Sequence, residues 1–174
     1  GVVDPDLGLQ GSDLRAAERT FQLLRQVSGR AGRSDKKGAA YLQTYQPLHP
    51  VIKAISEGQD EQFWIAEAEG RALAKMPPYG RLVGILISAQ KSEDAFELGL
   101  QLSKNAKILN SAGITLYGPA PAPITRVRGR YRVRLLLKAD KAVSMQCTVK
   151  SWVSRVNLKK DVRLTIDVDP QSFL

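Results

Sequence analysis

The sequence predicts a mixed α/β fold of the α+β kind, because short apolar runs alternate with longer stretches of helical apolar spacing. With 174 residues, the chain can form one good core, or one core and a smaller subdomain. The pair Pro77-Pro78 interrupts the pattern, since proline removes a backbone donor and restricts the residue before it. We therefore place a domain boundary at this pair.

The net positive charge of the chain is confined to its second half. Residues 1–78 hold 10 basic and 10 acidic side chains, whereas residues 79–174 hold 16 and 7, which accounts for the whole formal charge of +9. This asymmetry indicates a polyanionic partner for one half. The sequence has no apolar run of membrane-spanning length and no signal-peptide pattern. A single Cys and a single His argue against a protein-only zinc site and fit a reducing cytoplasm.

The elements predicted for the first half follow from apolar spacing and from helix-start residues. They are the end of a strand at residues 2–3, helices over residues 13–28, 50–56 and 60–75, and a strand over residues 39–45. Ala17, Phe21 and Leu24 recur at helical spacing and are expected to face a core. The helix over residues 60–75 is expected to bury side chains that include Phe63, Ile65 and Leu73.

The elements predicted for the second half follow the order β-α-β-β-α-β. They are strands over residues 81–89, 114–127, 130–138 and 162–168, and helices over residues 92–110, with Ser92 as N-cap, and 141–155. Pro119, Pro121 and Pro123 exclude a fully paired central strand, so the segment 114–127 is assigned to an edge or bulged position. The order predicts a ferredoxin-like domain, with helices on one face of an antiparallel sheet.

Arginines alternate with other residues over the strand that begins at residue 130 and over the turn before it. They are Arg126, Arg128, Arg130, Arg132 and Arg134. Because side chains of a strand alternate between faces, those of the strand should line the face opposite a core formed by Tyr131, Val133, Leu135 and Leu137. Their spacing of about 7 Å is close to that of phosphates along a nucleic-acid strand. We therefore predict phosphate binding; a solvated or docked sheet face is the alternative.

Three basic residues near the last strand are candidates to extend this arginine row. They are Lys159, Lys160 and Arg163. Phosphate contacts position a protein on nucleic acid but carry little base information, so no sequence specificity is expected.

The octet Gln26-Val27-Ser28-Gly29-Arg30-Ala31-Gly32-Arg33 has the form Q-x-x-G-R-x-G-R and resembles motif VI of superfamily 2 helicases. In that motif, arginines contact the terminal phosphate of ATP, where a guanidinium neutralises charge that develops on the transferred group. By this resemblance Arg30 and Arg33 are the catalytic candidates, and with Gln26, Gly29 and Gly32 they form the nucleotide-binding set. On the octet alone, a solvated helix C-terminus explains the same residues equally well.

Further segments resemble the family of PriA-type primosomal replication-restart DNA helicases. They are residues 2–9, 13–24 and 38–45 around motif VI, and residues 77–79, 118–124, 129–132 and 166–170 in the second half. The resemblance covers essentially the whole chain, which is thereby identified as a C-terminal fragment. It implies a partial RecA-like helicase lobe 2 over residues 1–45, a helical connector over residues 46–78, and a basic domain of ribosomal S10-type fold over residues 79–174.

The resemblance also implies a function. The intact parent would be an ATP-dependent 3′-to-5′ DNA helicase, and so an ATP hydrolase, that recognises stalled or branched replication forks and initiates primosome assembly. It would act in the bacterial cytoplasm at the nucleoid, on forked and single-stranded DNA, with the single-stranded-DNA-binding protein and other primosome proteins and without a membrane. Its cofactors would be ATP with Mg²⁺, and zinc bound outside this fragment.

None of these cofactors is expected to be bound by the fragment itself. The sequence contains no G-x-x-x-x-G-K-[ST] phosphate loop, so the fragment alone is predicted not to hydrolyse ATP. A cut helicase sheet also makes self-association a prediction. The main alternative is that the second half docks on the helicase core or on the tail of the single-stranded-DNA-binding protein. An RNA-binding domain of ribosomal type is a weaker alternative, which the motif VI segment disfavours.

Overall fold

A computed structural model describes residues 1–10, 13–31 and 38–170, and the chain forms two units, Gly1–Glu69 and Gly70–Leu174. The strands are β1 (Val2–Val3), β2 (Leu42–Gln43), β3 (Gly80–Ala89), β4 (Thr115–Val127), β5 (Arg130–Asp140) and β6 (Arg163–Val168). The helices are α1 (Ala16–Arg30), α2 (Pro50–Glu57), α3 (Asp60–Leu73), α4 (Ser92–Lys104), α5 (Lys107–Ser111) and α6 (Met145–Val153), with a 3-10 helix at Pro5–Leu9. The predicted mixed α/β class is confirmed. None of the helices in these described ranges has the length and apolarity needed to cross a membrane.

The first unit is built on a short parallel pair, β1 with β2, in which Val2 is opposite Leu42. Its buried core consists of Phe21, Leu24, Val51, Ile52, Ala54 and Phe63. Ala17 packs against this core, so the apolar face predicted for the first helix is confirmed. α2 begins where it does because the imidazole Nδ1 of His49 accepts the N–H of Val51 at 3.2 Å, and Pro50 suits a first helical position.

The second strand is shorter than the predicted range 39–45. The buried carboxylate of Asp6 accepts a hydrogen bond from the hydroxyl of Thr44 and another from the backbone N–H of Tyr45, the latter at 2.7 Å. The side chain of Asp6 therefore takes the place of a strand partner for the backbone N–H of Tyr45, and the ladder ends at Gln43.

The second unit contains a four-stranded sheet with the order β4-β5-β3-β6, and every pair in it is antiparallel. The predicted order β-α-β-β-α-β is confirmed for these described elements, whereas the RecA-like and S10-type identities stay predictions. The helices α4, α5 and α6 contribute to one apolar core with β3 and β5. Within it the indole N–H of Trp152 donates to the carbonyl oxygen of Leu102 at 3.1 Å. The other broad face of the sheet is called the open face below.

Two details of the second unit differ from the prediction. The helix expected over residues 92–110 is two helices, because the Asn105 side-chain amide donates to the carbonyl oxygen of Gln101 at 3.0 Å and satisfies the last turn of α4. Ser92 is the first helical residue rather than the N-cap, a position that Lys91 occupies. The edge position and the bulges predicted from the prolines are confirmed in β4.

The two units divide within α3, between Glu69 and Gly70, before the predicted boundary at Pro78. At the start of the second unit, Arg71 donates to the carbonyl oxygen of Pro77 at 3.3 Å. The segment 46–78, predicted as a connector, is therefore shared between the units. The apolar face predicted for α3 is wrong: of its residues only Phe63 is buried, and Leu73 is 90% exposed.

Candidate nucleic-acid interface and motif VI helix

The motif VI residues that the structure describes lie on the last turns of α1. Gln26, Gly29 and Arg30 are all exposed, while Gly32 and Arg33 lie outside the described residues. The three exposed residues share a groove of about 640 Å³ with side chains of α1 and α3, which are Phe21, Gln22, Arg25, Asp60 and Trp64. The structure thus brings together those members of the predicted nucleotide-binding set that it describes.

One arginine in this groove is already paired. The Nε of Arg25 lies 2.6 Å from the carboxylate Oδ2 of Asp60, so its guanidinium is already engaged by a carboxylate of the groove. Arg30 is the last residue of α1, and its exposed guanidinium is available to an anionic ligand. Trp64 packs edge-on against Phe21 with ring centres 5.4 Å apart, which makes the floor of the groove aromatic. The sequence prediction missed Trp64 and the Arg25–Asp60 pair because nothing local links α1 to α3.

Two members of the predicted arginine row, Arg132 and Arg134, lie on the open face of the sheet. Val133, Leu135 and Leu137 of β5 are buried in the core, whereas the alternate positions Arg132 and Arg134 are half-buried on the opposite face. Tyr131, predicted to be a core residue, is only partly buried. The alternation in β5 therefore places the Cα atoms of successive residues on this face about 7 Å apart along the strand.

Strand order brings Arg163 into the same basic face. Ser88 of β3 is opposite Arg132 of β5 on one side and opposite Arg163 of β6 on the other. Residues directly opposite each other point to the same face, and adjacent strands are about 4.8 Å apart. Arg132 and Arg163 therefore stand about 10 Å apart on the open face, with a small serine between them. The position predicted for Arg163 agrees with this register.

Arg130 is used inside the sheet. Its guanidinium donates to the carbonyl oxygen of Ser88 at 2.8 Å and to the carbonyl oxygen of Asp161. These bonds join the start of β5 to β3 and to the turn before β6. The geometry therefore gives Arg130 a structural role, which corrects the prediction of a phosphate-binding row that includes it on equal terms with Arg132.

Lys159 does not extend the open face. Its Nζ lies 2.7 Å from carboxylate oxygens of both Asp94 and Glu97 on α4, a helix that packs on the other face of the sheet. Hydrogen bonds to these carboxylates raise the pKa of Lys159, and the hydrogen bond from Lys159 lowers the pKa of Asp94. Lys160 is exposed beside this ion-pair cluster. The prediction for Lys159 is corrected because its charge is neutralised in the helical layer.

Arg126 and Arg128 lie at the end of the β4–β5 hairpin. The guanidinium carbon of Arg126 is 5.0 Å from the centre of the Tyr131 ring, in the range of a cation–π contact. Arg128 occupies the turn itself and is exposed. Tyr117 of β4, which is opposite Leu136, is 49% exposed on the open face, whereas Trp152 is fully buried.

Comparison with known proteins gives results for both units. A family model described as the primosomal protein N C-terminal domain matches residues 71–171. Proteins named replication restart protein PriA align with almost the whole chain, at 39% identity over 173 residues in Rickettsia felis, 38% over 174 in Synechocystis and 32% over 177 in Bacillus subtilis. The alignments cover 99–100% of this chain and 26%, 21% and 22% of those proteins, respectively. The chain thus spans about a quarter of the length of these relatives.

Proposed function

The chain belongs to the primosomal protein N C-terminal domain family and is similar to replication restart proteins over almost its whole length, and we propose that it is the C-terminal part of a replication-restart DNA helicase. The intact parent would be an ATP-dependent 3′-to-5′ helicase that recognises stalled or branched forks and initiates primosome assembly. The family match and the names of the relatives support this proposal for replication restart. The proposed contact with ATP depends on the motif VI resemblance, and the proposed contact with DNA depends on the open face.

In this proposal the end of α1 completes an ATP site whose other half is supplied by the parent. Arg30 and Arg33 contact the terminal phosphate, and Gln26, Gly29 and Gly32 shape the approach of the backbone to the nucleotide. ATP with Mg²⁺ supplies the energy of translocation. The exposed side chain of Arg30 at the end of a helix suits such a contact, because a transition-state clamp needs a defined position. The fragment alone is expected to have no ATPase activity.

The basic domain binds DNA through phosphate contacts on its open face. The single observation that carries this part is the pairing of Arg132 and Arg163 across Ser88, within a half-chain that holds the whole net charge of +9. Arg134 lies two residues beyond Arg132 in β5 and therefore on the same face. Forked and single-stranded DNA, the single-stranded-DNA-binding protein and other primosome proteins are the proposed partners, in the bacterial cytoplasm.

Fluorescence anisotropy with a labelled fork and a matched blunt duplex, at several salt concentrations, tests this DNA binding. Binding through several phosphates should weaken log-linearly as salt rises. The double substitution Arg132→Ala/Arg163→Ala should flatten the salt slope by about two phosphate contacts. The matched control is Lys104→Ala/Lys150→Ala, which removes the same charge from α4 and α6 in the helical layer.

An equal loss of affinity in the two double variants would contradict a role for the open face, because net charge alone would then explain binding. No binding to either DNA at low salt would favour the alternative, in which this face docks on the helicase core or on an acidic protein tail. Exposed Tyr117 and half-buried Leu136 on the open face are the observation that favours that alternative, since they offer apolar area beside the arginines.

A further inference from the structure

The end of the β4–β5 hairpin is a narrow ribbon that extends past its neighbour. The last residue of β3, Ala89, is opposite Tyr131, which in turn is opposite Arg126. Beyond this level the hairpin continues with one pair, Val127–Arg130, and the turn that follows it. Arg128 and Gly129 form the two-residue turn with φ angles of 48° and 78°, which is the form that matches the twist of a hairpin. The ribbon end is thus a defined structure of two strands.

The surface of this ribbon end is exposed, basic and partly apolar. Residues 123–129 are all exposed, and the segment from 115 to 139 contains no acidic residue. Ile124 is 48% exposed and Val127 is 37% exposed. Arg126 and Arg128 flank Val127. Apolar side chains between guanidiniums, with no carboxylate nearby in the hairpin, fit a polyanion that also offers apolar groups.

We propose that the tip of the β4–β5 hairpin enters the major groove of duplex DNA. A two-stranded ribbon with side chains on both faces is about 10 Å thick, which fits a major groove about 12 Å wide but not a minor groove of about 6 Å. The pair Val127–Arg130 and the turn extend about 7 Å beyond the level of Ala89, which is less than the groove depth of about 8.5 Å. This proposal rests on the proposed DNA binding and adds the form of DNA and the groove.

Each side chain at the tip has a partner in this groove. Arg128 in the turn reaches furthest and contacts guanine O6 and N7 or the phosphates at the groove edge. Arg126 is held over the ring of Tyr131, so less conformational freedom is lost when it binds. Val127, in the last pair before the turn, contacts a thymine methyl group, which projects only into the major groove. Arg130 anchors the base of the ribbon through Ser88 and Asp161.

Duplexes that differ only in groove access test this proposal. Glucosyl groups on 5-hydroxymethylcytosine fill the major groove without adding charge, and netropsin fills the minor groove of A·T tracts. The wild-type chain should lose at least about fivefold in affinity for a glucosylated duplex, the lower bound for one base contact. Netropsin should change the affinity less than twofold. Single-stranded DNA carrying the same glucosyl groups should bind as well as the unmodified strand.

The variant Arg126→Gln/Arg128→Gln should bind plain and glucosylated duplex equally, whereas Lys104→Gln/Lys150→Gln should keep the wild-type ratio. Far-ultraviolet circular dichroism checks that each variant is folded. The single variant Arg128→Gln, which is changed only at an exposed turn, should show a smaller difference between plain and glucosylated duplex than the wild type does. If glucosylation left the affinity of the wild-type chain unchanged, or if netropsin displaced the chain from DNA, the assignment to the major groove would be wrong and the proposed DNA binding would stand. A wild-type chain that binds no DNA would overturn the proposed function and this inference together.

Discussion

At the scale of single residues, basic side chains that look equivalent in sequence have different surroundings. Arg132 is half-buried on the open face, Arg130 is bonded to two carbonyl groups, and Lys159 bridges two carboxylates. A guanidinium already committed to carbonyl oxygens loses those bonds if it turns toward a phosphate. The open face therefore binds through fewer side chains than the number of arginines in its sequence indicates.

The first residue prediction concerns Arg130. Replacing Arg130 by alanine removes its bonds to Ser88 and Asp161 and should lower the free energy of unfolding by about 1–2 kcal/mol. Arg132→Ala, its matched control two residues along the same strand, should change it by less than about 0.5 kcal/mol. Urea denaturation followed by circular dichroism measures both. Equal effects would show that the two arginines are energetically alike and that the carbonyl bonds of Arg130 are dispensable.

The second residue prediction concerns the ion-pair cluster of Lys159 with Asp94 and Glu97. The pKa of Asp94 is lowered in the folded chain by its hydrogen bond to Lys159. Its ionised form therefore stabilises the fold above the ordinary value of 3.8, and this contribution is lost as pH falls through the lowered pKa. Lys159→Met should lower the melting temperature at pH 7, and the difference from wild type should shrink toward pH 2.

The raised pKa of Lys159 makes the stability of the fold decrease as pH rises, whereas the lowered pKa of Asp94 makes it decrease as pH falls. Its charged form stabilises the fold below the ordinary value of 10.5, and that contribution is lost only as pH rises through the raised pKa. Thermal melts from pH 2 to 8 therefore test the carboxylate side of the pair. Lys160→Met is the matched control, and a difference from wild type that stays constant over this range would contradict the ion-pair explanation.

At the scale of elements, the helical layer meets β4 at a close approach. Gly99 of α4 is buried, and a Cβ atom placed on it would lie 2.8 Å from the Cβ of Pro119. The ring of Pro119 has little freedom to move away. A small residue in α4 therefore permits the proline-containing edge strand β4 to pack on the helix.

Gly99→Ala should therefore destabilise the chain although alanine is the better helix former. The expected loss is about 1–3 kcal/mol from overpacking. Gly70→Ala in α3 is the matched control, because the described atoms leave open space at that position, and the higher helix propensity of alanine should make it neutral or stabilising by up to about 1 kcal/mol. Differential scanning calorimetry of both variants measures these changes in stability. A Gly99→Ala chain more stable than wild type would mean that Pro119 moves away from the added methyl group and that the close approach costs little.

At the scale of the whole molecule, the two units have cores of different size. Among its described residues, the first unit has a core of six buried apolar side chains around Phe21 and Phe63, whereas the second has an extensive core that joins three helices to the sheet. The free energy of hydrophobic burial grows with the apolar area removed from water. The second unit should therefore resist denaturant to higher concentration than the first.

The two tryptophans of the chain make this measurable, since Trp64 lies in the first unit and Trp152 in the second. In guanidinium titrations, Trp64→Phe leaves a fluorescence signal from the second unit alone, and Trp152→Phe leaves one from the first. The midpoint reported by Trp152 should be the higher of the two. Circular dichroism of both variants controls for destabilisation by the substitutions, and coincident midpoints would mean that the units unfold together.

The sequence by itself determined the features that depend on local order along the chain. The alternation in residues 130–138 predicted arginines on the face opposite the buried one. The three prolines predicted that β4 is an edge strand, and the charge asymmetry identified the second half as the basic one. These predictions succeeded because a side chain's face within one strand, and a proline's missing donor, follow from covalent geometry. The role of the motif VI octet stays a prediction, because only part of it lies within the described residues.

The tertiary structure alone decided which basic residues are available and which neighbours they have. Arg163 stands beside Arg132 through the order β5-β3-β6, Arg130 is bonded to Asp161, and Lys159 is paired with α4. The groove on α1 likewise includes Trp64 of α3. Each of these pairs joins residues far apart in sequence, whose proximity depends on strand order, register and helix packing. No local pattern encodes those quantities, since they are set by how the whole apolar core closes.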